Sequence, residues 1–194
     1  MTRFNPKGKI DTDALYKMSK IKTVYIHGLD SEPRPEKMEI MKQAGFDVYA
    51  IQIDYRENKE AYAELKKLII DKKAEFIIGS SFGGMLGYWL SEELGIPALL
   101  FNPAMVYQSV QVNLPQIENT NCPMRIVILG EQDDIVNPIE NKQFFKAKER
   151  KGLSQKVLLC SWLAHSIDFQ TFDEMTFLAV RNYSIWKLMN MNNK

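Results

Sequence analysis

Short apolar, β-branched runs alternate along this chain with longer amphipathic stretches, and that rhythm leaves few folds open. Thr23-Val24-Tyr25-Ile26 reads as a buried strand. Pro35 to Ala44 reads as a helix, with Met38, Met41 and Lys42 near helical spacing and Gly45 just past its end. Phe46 to Ile53 reads as a second strand, and Lys59 to Lys72 as a helix with Leu65, Leu68 and Ile69 on one face. Glu75 to Gly79, Ala98 to Phe101, Arg125 to Leu129 and Lys156 to Cys160 read as further strands. Helices are expected from Phe82 to Leu94, from about Ile139 to Lys151, and from about Phe169 to Met189. The last should bury Phe172, Thr176, Val180, Tyr183 and Trp186. Strands that alternate with helices of this length pair in parallel through right-handed crossovers. The expected fold is therefore α/β, a three-layer α/β/α sandwich around a mostly parallel sheet of about six strands.

In such sheets, ligands bind beyond the carboxyl ends of the strands. One motif stands in that position. The run Glu75-Phe76-Ile77-Ile78 leads straight into Gly79-Ser80-Ser81-Phe82-Gly83-Gly84, and a helix follows at once. This is G-x-S-x-G between a strand and a helix, the setting in which the pattern carries meaning. A sharp strand-to-helix turn lifts the serine hydroxyl to the edge of the sheet, and the flanking glycines remove the Cβ atoms that would collide there. Ser80 as nucleophile would need glycine at 78 and 82, where Ile78 and Phe82 stand. The pattern selects Ser81. The competing reading is a Gly/Ser turn that only caps the helix.

A serine hydroxyl needs an adjacent base to act as a nucleophile, and histidine is the usual one. The chain has two histidines, His27 and His165. His165 lies beyond the last strand, where the order Ser, acid, His places the base. The acid should fall between Ser81 and His165, at a strand end. Gly130-Glu131-Gln132-Asp133-Asp134-Ile135-Val136 follows the fifth strand. A carboxylate there orients the imidazole and stabilises its cationic form. Asp133 is preferred, with Asp134 as the alternative; Asp134 also suits a solvated turn or the cap of the helix opened near Pro138. His27-Gly28 directly follows the first strand, so His27 is expected to shape a loop by hydrogen bonding. Backbone N–H groups of Phe82 and Leu29 are the expected oxyanion donors, with Asp30 as the alternative to Leu29.

Composition narrows the partners. Lys+Arg is 25 and Asp+Glu 24, for a net charge of +1, so there is no excess that points to nucleic acid or an anionic membrane. The expected partner is a small-molecule substrate. No apolar run follows the early positive charges, and none approaches the roughly 18 residues of a membrane helix, so a cytoplasmic location is expected. Cys122 and Cys160 are expected to be free thiols, and two cysteines and two histidines so far apart form no readable zinc site. No cofactor is expected. A length of 194 residues suits a single domain, 1–194. Residues 102–121, with Met105, Val106, Tyr107, Val110, Val112 and Leu114, suit either a short lid or ordinary core packing. Met105 and Tyr107 are the candidates for a substrate wall.

Taken in order, strand-His27-Gly28, Gly79-x-Ser81-x-Gly83-Gly84, Gly130-x-x-Asp133-x-x-Val136 and the late His165 resemble the α/β-hydrolase superfamily. The nearer likeness is to its small single-domain bacterial esterases of the YqiA-like type, over roughly Lys22 to Trp186. The resemblance implies that Ser81 attacks an acyl carbonyl, His165 carries the proton, Asp133 orients His165, and the Phe82 and Leu29 N–H groups hold the oxyanion. It implies a carboxylic ester or thioester as substrate. The same three side chains also serve amide and C–C hydrolysis or acyl transfer, and the same fold serves non-catalytic binding proteins. Ala164 stands where many relatives have glycine, and the six strands read here are fewer than the eight of larger members.

Overall fold

Strand residues of this chain point alternately to two buried faces, and both faces are apolar. In β1 (Ile21–Ile26), Val24 and Ile26 join one core cluster while Tyr25 joins the other. In β3 (Phe76–Ser80), Ile77 faces the first cluster and Phe76 and Ile78 the second. The same alternation runs through β4 (Ala98–Phe101) and β5 (Met124–Gly130). A sheet apolar on both sides must be covered on both sides. The computed structural model describes residues 20–106, 109–117, 121 and 123–191. Helices α2 (Ala61–Lys72), α3 (Phe82–Leu94) and α4 (Pro138–Ala147) cover the first face. Helices α1 (Pro35–Ala44) and α5 (Phe169–Met191) cover the second. With β2 (Phe46–Tyr49) and β6 (Ser154–Cys160) these make a three-layer α/β/α domain around a six-stranded sheet.

All strand pairs are parallel, in the order β2-β1-β3-β4-β5-β6. The chain moves outward in one direction from β1 to β2, and in the other from β3 to β6. The reversal lies between β1 and β3, where helices on opposite faces leave a crevice at the carboxyl ends. Ile26 is level with Gly79 across this pair. The residues that follow, His27-Gly28 and Ser80-Ser81, therefore meet at the crevice.

Several boundaries differ from the sequence reading, each for a local reason. β2 ends at Tyr49 rather than Ile53, because Gln52 and Ile53 leave the ladder to bond the loop after β1. α2 begins at Ala61 rather than Lys59, since the Asn58 side chain accepts from the Glu60 N–H and holds a turn ahead of the helix. α4 stops at Ala147 rather than Lys151, where the Lys148 N–H turns back to the Phe144 and Phe145 carbonyls. β6 starts two residues early, at Ser154, because an edge strand tolerates polar residues. In α5, Val180 and Trp186 are half-buried, and Ala179 takes the fully buried position beside Phe172, Thr176 and Tyr183.

Arg125, at the amino-terminal end of β5, is fully buried. It donates to Glu92 at 2.5 Å and lies over the Tyr88 ring at 4.4 Å. Arg150 reaches the other Glu92 oxygen at 2.8 Å. This ion network closes the end of the sheet opposite the crevice. The described part of 102–121 contains no helix or strand, and Val110, Val112, Leu114 and Ile117 pack on the α2–α3 core. Its Asn113 side chain donates to Glu60 at the start of α2, and Asn121 to the Glu92 and Glu93 carbonyls near the end of α3. The described residues of this segment are thus tied to the start of α2 and to the end of α3. Cys160 is a buried free thiol whose pKa burial pushes up; Cys122 lies outside the described residues. No helix among the described residues is long and apolar enough to cross a membrane.

Candidate active site

Ser81 stands between β3 and α3 with φ 54° and ψ −121°, a conformation that non-glycine residues seldom adopt. Its own backbone bonds hold it there. The Ser81 N–H donates to the Phe101 carbonyl at 2.9 Å, and its carbonyl accepts from Met85 and Ala104, each at 3.0 Å. Gly83 permits the turn. A Cβ at that position would lie 2.2 Å from the His27 carbonyl oxygen and 2.4 Å from that of Ile26. The start of α3 therefore sits directly on the end of β1. The same close approach brings Gly28 against Ser81, with a Cβ at Gly28 falling 3.3 Å from Ser81 Cβ. Ser80 is buried as the last residue of β3.

The Ser81 hydroxyl lies 3.0 Å from His165 Nε2. His165 Nδ1 lies 2.9 and 3.0 Å from the two carboxylate oxygens of Asp133. A carboxylate only accepts, so Nδ1 carries the hydrogen and Nε2 presents its lone pair to the serine hydroxyl. Asp133 Oδ1 also accepts from the Ile135 and Val136 N–H groups at 2.9 and 2.8 Å. The Asp133 side chain is almost sealed from water, at 1% exposure, whereas that of His165 retains 19%. Asp134, the other candidate, is exposed, and the cap of α4 is Asn137, whose side chain accepts from Ile139 and Glu140.

Asn102 has a part in this site that the sequence reading missed. It is buried, with φ 40° at the end of β4. Its side-chain oxygen accepts from the Gly130 N–H at 2.8 Å, and its amide donates to the Ala164 and His165 carbonyls at 2.9 and 3.2 Å. One side chain thus joins the loop that carries the acid to the loop that carries the histidine. The signal was present as Asn102-Pro103, a dipeptide that marks turns and whose asparagine tolerates the left-handed region.

His27 is buried with both ring nitrogens engaged. Nε2 accepts from the Ile53 N–H at 3.1 Å, so the hydrogen sits on Nδ1, which faces the Gly28 carbonyl at 2.8 Å. With its lone pair occupied, His27 cannot take a proton from Ser81. Burial holds its pKa below the ordinary 6.5, against the opposing pull of the Gly28 carbonyl and Glu32. The folded chain then resists protonation where the unfolded chain accepts it. Stability present above about pH 6.5 should fall as the pH drops through the interval below it. Denaturant midpoints measured from about pH 7 to about pH 5 should decline, and the His27 ring resonances should titrate below 6.5.

Leu29 is half-buried in the loop beyond Gly28, and Phe82 opens α3, where N–H groups have no helical partner. Met105 is buried beside the Ser81 turn, next to Ala104, which donates to the Ser81 carbonyl. Tyr107 lies outside the described residues. A polar cleft of about 490 Å³ flanks the loop after β1, lined among others by Asp30, Arg34, Asp54, Tyr55 and Arg56. Ser81, His165 and Met105 do not line it.

A family model described as an uncharacterised protein family, UPF0227, matches residues 22–149, well over half of the chain. The chain belongs to UPF0227. The matched stretch carries Gly28, Ser81 and Asp133, while His165 lies beyond it. No curated protein matches the chain. Solved structures do. This UPF0227 chain resembles a monoacylglycerol lipase of Paleococcus ferrophilus at 13% identity and TM-score 0.65, over 81% of this chain and 94% of the lipase. It resembles an α/β hydrolase enzyme, MGS-MChE2, from a sediment metagenome of the Mar Chica lagoon in Morocco, at 12% identity and TM-score 0.65, over 87% and 92%. It also resembles Est1E from Butyrivibrio proteoclasticus at 13% identity and TM-score 0.61, over 84% and 88%. At these identities the likeness establishes the fold, which is that of the α/β hydrolases.

Proposed function

We propose that this UPF0227 chain is a serine hydrolase that cleaves a carboxylic ester or thioester through an acyl-enzyme. The observation that carries the reading is the unbroken line from Ser81 Oγ to His165 Nε2 and from His165 Nδ1 to Asp133, at 3.0 and 2.9 Å. Ser81 Oγ attacks the acyl carbonyl as its proton passes to His165 Nε2. The resulting imidazolium is stabilised by Asp133, which carries the countercharge. The tetrahedral oxyanion is held by the Phe82 and Leu29 N–H groups, and the partial positive charge at the start of α3 adds to that field. His165 then gives the proton to the departing alcohol or thiol, and the C–O or C–S bond breaks. Water, deprotonated by the same nitrogen, releases the acid. Met105, beside the Ser81 turn, forms part of the wall against the small acyl group.

A fluorophosphonate probe tests this directly. Mass spectrometry of the labelled protein should show one adduct, on the peptide that holds Ser81, and Ser81→Ala should remove it. A folded wild-type protein that takes no label at Ser81 would sink the reading. Rates on a short p-nitrophenyl ester and on an acyl thioester of equal chain length then separate the two substrate classes.

A further inference from the structure

The loop after β1 carries the proposed oxyanion donor Leu29, yet it has little internal structure to keep it in place. Asp30, the next residue, has φ 51°, in the left-handed region that aspartate and asparagine enter more readily than other side chains. Hydrogen bonds from one neighbouring segment tie the loop down. Gln52 Nε2 donates to the Ser31 carbonyl at 2.9 Å. The Ile53 N–H donates to His27 Nε2 at 3.1 Å, and the Tyr55 hydroxyl to the His27 carbonyl at 3.0 Å. Arg56 Nε and Nη2 donate to the two oxygens of Asp30 at 2.8 and 2.5 Å.

The segment that makes these bonds is itself braced. Tyr55 is buried, with its ring centroid 5.0 Å from that of His27 and 5.0 Å from that of Phe82. The Arg56 N–H is held by the Asp54 carboxylate at 2.9 Å. The sequence reading assigned only the first part of this segment, Gln52 and Ile53, to the end of β2. The segment leaves the sheet early and becomes a clamp on the loop after β1. Within the clamp, Gln52, Ile53 and Tyr55 fix the ends of the loop, at Ser31 and His27. Arg56 grips the side chain of Asp30, the residue next to Leu29.

We propose that Arg56 is a positioning residue for catalysis: its two-point grip on Asp30 fixes the loop so that the Leu29 N–H points to the oxyanion above Ser81. The inference rests on the serine-hydrolase reading. The pair is well exposed, at 52% for Arg56 and 60% for Asp30, and exposed ion pairs contribute little to stability. Its importance lies in geometry. A two-point guanidinium–carboxylate contact fixes direction as well as distance, and an oxyanion donor loses most of its value when displaced from the developing charge.

The test compares wild type with Arg56→Ala, Arg56→Lys, Asp30→Asn and the Arg56→Ala/Asp30→Asn double variant. Asparagine tolerates the left-handed region, so Asp30→Asn removes the charge without adding backbone strain. The readouts are kcat and KM on a short p-nitrophenyl ester, the rate of fluorophosphonate labelling at Ser81, and the thermal midpoint. Arg56→Ala should lower kcat and the labelling rate about tenfold, with KM within about twofold and an unchanged midpoint. Arg56→Lys should recover part of the loss, and the double variant should be no worse than either single change. A kcat for Arg56→Ala within about twofold of wild type, with labelling intact, overturns this proposal alone. A loss of kcat that tracks a loss of midpoint, without rescue by lysine, also overturns it by making Arg56 merely structural. Absence of any Ser81 label in the wild type overturns the hydrolase reading, and this proposal falls with it.

Discussion

Ser81→Ala is expected to lower ester turnover by about 10⁴- to 10⁶-fold and to leave the fold in place. The Ser81 hydroxyl has one described partner, His165 Nε2 at 3.0 Å, so its removal deletes one hydrogen bond at a half-exposed edge. The strained backbone at φ 54° is the same for alanine as for serine. Stability should therefore change by less than about 1 kcal/mol. Asp133→Asn provides the companion measurement. An asparagine that keeps its oxygen on the Ile135 and Val136 N–H groups must turn its NH₂ toward His165 Nδ1. That forces the hydrogen onto Nε2, the nitrogen that must accept from Ser81. Turnover should fall by about 10⁴-fold through the wrong tautomer alone. Steady-state rates with thermal melts of the same preparations check both expectations. A Ser81→Ala protein that retains the wild-type rate would show that the hydroxyl attacks nothing.

Gly83→Ala should destabilise the domain by about 3 kcal/mol or more. The added methyl would fall 2.2 Å from the His27 carbonyl oxygen and 2.4 Å from that of Ile26. Both are backbone atoms of the strand end and cannot swing aside. Relief requires α3 to move away from β1, which also separates the Phe82 N–H from Gly28. Activity and stability should fall together. Gly87, one turn further along α3, supplies the control. A Cβ there meets Ile77 Cγ2 and Leu100 Cδ2 at 3.2 Å, about 1 Å farther than the backbone oxygens that Gly83 faces, so relief takes a shift of only a few tenths of an ångström in the core, and alanine favours a helix over glycine by about 1 kcal/mol. Gly87→Ala should stay within about 1 kcal/mol of wild type in urea denaturation.

The strand–helix alternation was legible because burial on both faces of a sheet imposes it on every central strand. The Ser81 turn was legible because its steric demand is local: glycine on either side and a helix at once. The placement of His165 after the last strand followed from chain order. What could not be read were the contacts made across the sheet edge. Ile53 looked like strand because it is apolar and follows a β run, but its N–H is taken by His27. Asp133 and Asp134 are adjacent and chemically alike, and only the turn that buries the first and exposes the second separates them. Asn102 gave only a turn signal, and its bonds run to residues 28 to 63 positions away.

For this UPF0227 chain, sequence by itself determined the layers, the parallel sheet and the serine on its tight turn, because periodicity and sterics act within a few residues. Tertiary structure alone decided which carboxylate faces His165, which side chain ties the acid loop to the histidine loop, and which segment grips the loop beside Ser81. Those choices depend on hydrogen bonds between strand ends brought together by the reversal between β1 and β3, and no local pattern encodes such a distance.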